Sequence, residues 1–376
     1  MIRLAVRYPS EKLDEPLPIR SRVRRAVRRR SVHRRPRQRG RDGTRPPGAK
    51  QPPCARVARD PAAGGYRIER IYQHDPDYPE TRSPLADPDL DVRAGDIVTA
   101  VNGVSLLDVP DIGVPLRNQA GRQVLLTLKR GAHSRDVVVV PMGNEAGLRY
   151  TDWEVSRRRA VETATKGTIG YVHLRAMGEA DIEQWVREYY PVFDRQGLII
   201  DVRQNRGGNI DPWVLDALMR KAWMYWKSRA GEPYWSMQYA FRGHMVVLVD
   251  QETASDGEAF ADGFRRLGLG DVIGMRTWGG EIWLNDANML SDGGLARAPM
   301  NGVYGPEGKW VIEQRGLVPD VEVDNLPHAT FMGKDAQLEA AIAHLEKKIA
   351  ADPRPVPLTP EATPRHAGPR GSAKTA

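Results

Sequence analysis

Cysteine is almost missing from this chain. Cys54 stands alone among 376 residues, which excludes a disulfide framework and a thiolate metal cluster. No apolar run approaches the ~18 residues that a membrane-spanning helix needs. The N-terminus has no apolar stretch of the secretory kind either. The expectation is a cytoplasmic protein without a membrane partner. A basic excess is also missing from most of the chain, although the net charge is +8. Residues 1–60 hold 19 Lys and Arg against 5 Asp and Glu, and the remainder holds 37 against 43. The body is therefore mildly acidic, which argues against a nucleic-acid partner there. Lysine is absent between Lys227 and Lys309, so no amine base is available in that stretch.

What is present begins with Arg/Pro-rich text over residues 1–54, including Arg28-Arg29-Arg30, Arg34-Arg35 and Pro46-Pro47. Three readings stay open: a basic arm for nucleic acid or anionic surfaces, a solvated extension, or out-of-frame translation of GC-rich DNA. Order begins near Ala55. Tyr66–Tyr72 alternates like a half-buried strand. In Val92–Gly103 a Gly-Asp turn leads into an apolar strand that ends in Asn-Gly. Val124–Arg130 and Arg135–Val140 flank Gly131 as a hairpin. This order over 55–142 resembles a PDZ domain. Such domains add an extended chain end to a sheet edge, but the glycine-rich carboxylate-binding loop is not evident. Peptide binding and a packing or gating role both stay open.

From 143 to 350 the text alternates between strands and helices, an α/β pattern. The strand segments are Thr168–Leu174, Gly197–Arg203, Met245–Asp250, Asp271–Gly274 and Trp310–Glu313. Helical spacing covers Ala180–Phe193, Val214–Trp226, the run from Ser255 to Leu267, and Gln337–Ile349. Residues 351–376 are rich in Pro, Ala and Thr and are expected to be disordered. Trp213, Trp223 and Trp226 are expected in cores or a subunit contact. Trp278 and Trp283 either fill a core or line a cleft.

Ser255, in Thr253-Ala254-Ser255-Asp256-Gly257-Glu258, lies between an apolar strand and a helix. A serine at such a turn exposes its hydroxyl, and the next N–H joins the unpaired donors of the helix start. Acyl-transfer enzymes place a nucleophile beside an oxyanion site in this way. The plainer alternative is a helix cap. Asp201, ending a buried strand, reads as structural.

Three motifs occur in fixed order after the PDZ-like segment. They are Asp201-Val202-Arg203-Gln204-Asn205-Arg206-Gly207-Gly208, the Ser-Asp-Gly turn at 255–257, and the stretch Trp310–Val323 containing Glu313. Together they resemble the tail-specific serine peptidases, in particular the tricorn branch, over roughly Ala55–Ile349. The resemblance implies Ser255 as nucleophile, with backbone N–H groups of Asp256 and Gly208 as oxyanion donors. It implies Glu313 as the charge-relay carboxylate that orients a histidine. Asn205, Arg206 and Gly207 would grip an extended substrate. The family's histidine lies before the PDZ domain, where this sequence offers His33. No cofactor or metal is implied. Peptide substrates and a homo-oligomer, hexameric in the family, are. The family's preceding β-propeller domains have no counterpart in this text, which implies a shortened homologue of impaired activity. The rival reading is a non-catalytic peptide-binding homologue that keeps the PDZ domain and the cleft.

Overall fold

The computed structural model describes residues 54–285 and 288–360. The Arg/Pro-rich segment 1–53, with His33, lies outside them.

An all-antiparallel sheet comes first. Its strands are β1 (Ala55–Asp60), β2 (Gly65–Ile71), β3 (Ile97–Val101), β4 (Val104–Ser105), β5 (Val124–Arg130) and β6 (His133–Val139). Their order is β1-β2-β3-β5-β6, with β4 paired to β3. Alternating apolar positions Val124, Leu126 and Leu128 face a core with Val98, Val101, Leu106 and Ile68. Asp96, buried in the Gly-Asp turn, accepts from Arg130 Nε at 2.7 Å and from the Arg93 N–H at 3.1 Å.

The second part is α/β. It contains α1 (Ala146–Thr165), β7 (Ile169–His173), α2 (Glu179–Tyr189), β8 (Gly197–Asp201) and α3 (Asp211–Met219). A small hairpin follows, β9 (Met224–Trp226) with β10 (Tyr234–Ser236), then β11 (His244–Val249), α4 (Asp256–Arg266) and β12 (Gly270–Gly274). A second hairpin, β13 (Trp283–Asn285) with β14 (Ala298–Asn301), precedes β15 (Val321–Glu322), α5 (Pro327–Phe331) and α6 (Ala336–Ala351). The main sheet runs β15-β12-β11-β8-β7 and is parallel throughout. Its strands are apolar on both faces because helices cover both. Leu198, Ile200 and Val247 face Trp185 of α2, Leu215 of α3 and Phe260 of α4. Ile199, Val246 and Leu248 face Val161 of α1 and Leu338 and Leu345 of α6.

The mainly β part followed by an α/β part agrees with the expected fold class. The structure adds one helix and departs from several local expectations. Helix α1 is unannounced by apolar spacing because two of its buried positions, Asp152 and Glu154, are carboxylates. Arg70 Nη2 and the Gln73 N–H reach Asp152 at 2.9 Å each, and Arg175 Nε and Gln184 Nε2 reach Glu154 at 3.0 and 2.7 Å. The helix expected over 214–226 ends at Met219, and the aromatic residues beyond it form the β9–β10 hairpin, in which Trp226 stacks on Tyr234. Residues 310–313 are not a strand: Trp310 only bridges Tyr304, and Glu313 lies in a turn flanked by positive φ at Ile312 and Gln314. Of the alternatives for Trp213, Trp223 and Trp278, core packing is excluded, since they are 65%, 71% and 65% exposed. Residues 352–355, at the start of the Pro-rich tail, are tied to the base of β11, where Arg354 Nη1 donates to the Gly243 carbonyl at 3.1 Å.

Candidate active site

Ser255 follows the carboxyl end of β11, the central strand, where open parallel sheets form their functional crevices. Its backbone adopts φ 53° and ψ −128°, and α4 starts at the next residue. A non-glycine residue held at positive φ costs about 1–3 kcal/mol, a strain that packing must hold in place. Here the Ala254 N–H donates to the Asn205 carbonyl at 2.8 Å, and the Ser255 N–H donates to Glu258 Oε2 at 3.0 Å. Ser255 stays half-buried, whereas Asp256, Gly257 and Glu258 are fully covered.

The turn after β8 lies against this elbow. A Cβ added at Gly207 would come within 2.5 Å of Ser255 Cβ and 3.0 Å of both Ser255 Oγ and the Asp256 nitrogen. Only a glycine fits there. Gly208 is shaped by a different neighbour: a Cβ on it would strike the Met177 carbonyl oxygen at 1.8 Å. Met177 brackets it, donating to the Gly207 carbonyl at 2.9 Å and accepting from the Asn209 N–H at 2.8 Å. The N–H groups of Gly208 and Asp256 find no hydrogen-bond acceptor among the described residues. Asn205 is fully buried and consumed by the fold. Its Nδ2 donates to the Leu174 carbonyl at 2.8 Å, and its Oδ1 accepts from the Gly207 N–H at 2.9 Å. Arg206 is exposed beside them.

Carboxylates dominate the far side. Asp256 Oδ2 accepts from the N–H groups of Ile210 at 2.8 Å and Asp211 at 3.2 Å, fastening the start of α3 to the start of α4. Burial pushes the Asp211 carboxyl up to about 7, helped by its hydrogen bond to Asp256 and by that group's charge. Glu313 Oε2 accepts from the Glu281 N–H at 2.7 Å, and the Gln314 N–H donates to the Gly279 carbonyl at 2.8 Å. Glu313 is thereby fixed to the strap 277–281. The Glu281 carboxyl is buried and pushed up to about 8, first by burial and then by the charges of Glu258, Asp256 and Asp211.

Of the expected site residues, Ser255, Asp256, Gly207 and Asn205 meet directly, Gly208 follows Gly207 in the same turn but lies against Met177, and Glu313 joins through the strap. His33 lies outside the described residues. Two of the described histidines are bonded elsewhere. His173 is fully buried with Nε2 at 2.8 Å from the Tyr150 hydroxyl, and burial lowers its pKa. His244 sits at the opposite end of β11, its Nε2 2.8 Å from the Asp352 carbonyl oxygen. Asp201 pairs with Arg203 at 2.6 Å inside the protein, as expected of a structural group.

Two sequence profiles match this chain. The Tricorn protease PDZ domain matches residues 54–144, and Peptidase family S41 matches residues 168–323. The chain belongs to peptidase family S41, in its tricorn-type branch. It is 36% identical over 300 residues to tricorn protease homolog 1 of Streptomyces coelicolor, covering 78% of this chain and 28% of that protein. It is 30% identical over 287 residues to the tricorn protease of Thermoplasma acidophilum, covering 76% of this chain and 26% of that protein. The chain thus spans under a third of the length of these curated relatives. Among solved structures, a crystal structure of the tricorn protease superposes with TM-score 0.74 at 28% identity, over 80% of this chain and 29% of that one.

Within this S41 frame, residues that the sequence had not singled out complete the site. Glu258 had a visible sign, because Ser255-x-x-Glu258 has the spacing of a capping box. Thr277 and Glu281 had none, being 22 and 26 residues beyond the serine in unpatterned text.

Proposed function

We propose that this chain is a serine peptidase that cleaves extended oligopeptides through an acyl-enzyme on Ser255. The observation that carries the reading is the strained Ser255 elbow packed against Gly207, with acceptor-free N–H groups at Asp256 in the elbow and at Gly208, the next residue of the opposing turn. In the reaction, Ser255 Oγ attacks the scissile carbonyl and its proton passes to a base. The two N–H groups receive the oxyanion. Collapse expels the amine, which takes the proton, and water then hydrolyses the ester. No base among the described histidines meets Ser255. His33 is the candidate, and Glu313 would orient the imidazole and stabilise its cationic form. Asn205 contributes by shape rather than by gripping substrate, since its carbonyl and amide are already bonded within the fold. The exposed backbone at Gly208 and the Arg206 side chain are left to meet an extended chain.

A purified-chain assay with fluorogenic peptides tests this, alongside Ser255→Ala and His33→Ala. Loss in both variants supports the full triad. Loss in Ser255→Ala alone keeps the peptidase and removes His33. Equal activity in Ser255→Ala and wild type refutes the reading. A wild type that binds peptides without turnover and fails to react with a fluorophosphonate favours the binding homologue. Light scattering on the same sample reads the self-association that the resemblance implies.

A further inference from the structure

Glu258 stands three residues after Ser255 in the first turn of α4 and has no exposed surface. A glutamate that merely caps this helix needs one bond, from the Ser255 N–H. Glu258 takes four. Oε2 accepts from the Ser255 N–H at 3.0 Å and the Gly280 N–H at 2.9 Å. Oε1 accepts from the Gly279 N–H at 2.7 Å and from the Thr277 hydroxyl. The three additional donors all belong to the strap whose next residue, Glu281, donates its N–H to Glu313. Thr277 Oγ1 in turn accepts from the Leu317 N–H at 2.7 Å, beyond the Glu313 turn. The strap also returns to the elbow directly, through the Trp278 N–H on the Thr253 carbonyl at 3.0 Å.

We propose that Glu258 is a positioning residue: one buried side chain ties the amide of Ser255 to the strap that holds Glu313, and so sets the nucleophile against its relay carboxylate. The proposal rests on the reading of Ser255 as the nucleophile. Its logic is that of any serine site, in which a partner group helps only from a fixed geometry, and about 1 Å of displacement costs ~10²-fold in rate. No proton transfer by Glu258 is involved.

The test uses the full chain as Glu258→Gln, Thr277→Val, Thr277→Ser and Ser255→Ala. It measures steady-state peptide cleavage and the rate of fluorophosphonate labelling at Ser255, with thermal melts as the folding check. In Glu258→Gln an amide nitrogen replaces an acceptor that faces two donors. The expected result is a fall of ~10²-fold in kcat and in the labelling rate with KM changed less than ~3-fold. Thr277→Val, nearly isosteric, removes one of the four bonds and is expected to lose ~10-fold in kcat, most of it recovered in Thr277→Ser. Folded Glu258→Gln with wild-type kcat and labelling overturns the proposal. If Glu258→Gln does not fold, the threonine pair decides: Val and Ser variants equal to wild type overturn it. Ser255→Ala as active as wild type instead defeats the serine reading itself, so the two failures are distinguishable.

Discussion

Gly207→Ala puts the contact between the glycine turn and the elbow under the most direct strain. The new methyl would lie 2.5 Å from Ser255 Cβ and 3.0 Å from both Ser255 Oγ and the Asp256 nitrogen. Carbon atoms at rest sit about 3.5–4.0 Å apart, so one partner must retreat by about 1 Å. The backbone resists as well: φ at Gly207 is 82°, and an L-residue held at left-handed φ costs about 1–2 kcal/mol. Overpacking adds about 1–3 kcal/mol, because the neighbour is a Cβ fixed to the main chain and not the end of a flexible side chain. Together the loss of stability should be about 2–5 kcal/mol. A 1 Å displacement of Ser255 should lower kcat/KM by ~10²-fold or more. Gly231→Ala is the control. Gly231 has φ 89° with nothing within 4 Å of its added Cβ, so it should lose about 1–2 kcal/mol and keep its activity. Urea unfolding and fluorogenic-peptide kinetics read both quantities. The reasoning is refuted if Gly207→Ala matches Gly231→Ala in both, for the turn would then not bear on the nucleophile.

Two further predictions concern charge. Glu281 has a folded-state pKa raised to about 8, so its contribution to stability is present below the ordinary carboxylate range and is lost as pH rises through about 8. Glu281→Gln should therefore flatten the fall in melting temperature between about pH 5 and 8, and an unchanged slope would contradict this account. Arg203, 3% exposed, holds Asp201 and also Asp335 at 2.8 Å. Arg203→Met should cost about 3–5 kcal/mol by chemical denaturation, because two buried carboxylates lose their cation. Burial alone would raise the Asp335 carboxyl, but the Arg203 charge and hydrogen bonds hold it well below its usual range. That stability is present above about pH 4 and lost as pH falls, so the variant's acid limb should be shallower than the wild type's.

What the sequence determined by itself was local. The apolar run 245–249, the serine after it and the helical spacing beyond are side-chain patterns that nearest-neighbour physics reads directly, and β11, Ser255 and α4 follow from them. The glycine turn at 207–208 was legible for the same reason, since close backbone approach needs a residue without Cβ. Which glycine touches the serine was not legible: both are equivalent in the text, and only packing puts Gly207 on Ser255 and Gly208 on Met177. The segment around Glu313 resembles the family's motif, yet it is a turn rather than a strand, because the Gln314 N–H goes to the Gly279 carbonyl and the Glu313 carboxylate to the Glu281 N–H instead of the segment pairing with a sheet neighbour. Helix α1 stayed hidden because its buried carboxylates answer arginines and amides up to 82 residues away in sequence. Glu258 shows the division most clearly. Its spacing from Ser255 announces a cap, and a cap is a bond within one turn. Its three other donors lie 19 to 22 residues further on and meet it only once β12 has returned the chain to the carboxyl edge of the sheet. Local periodicity is written in adjacent residues, whereas the meeting of distant polar groups is decided by how the two helical layers close on the parallel sheet.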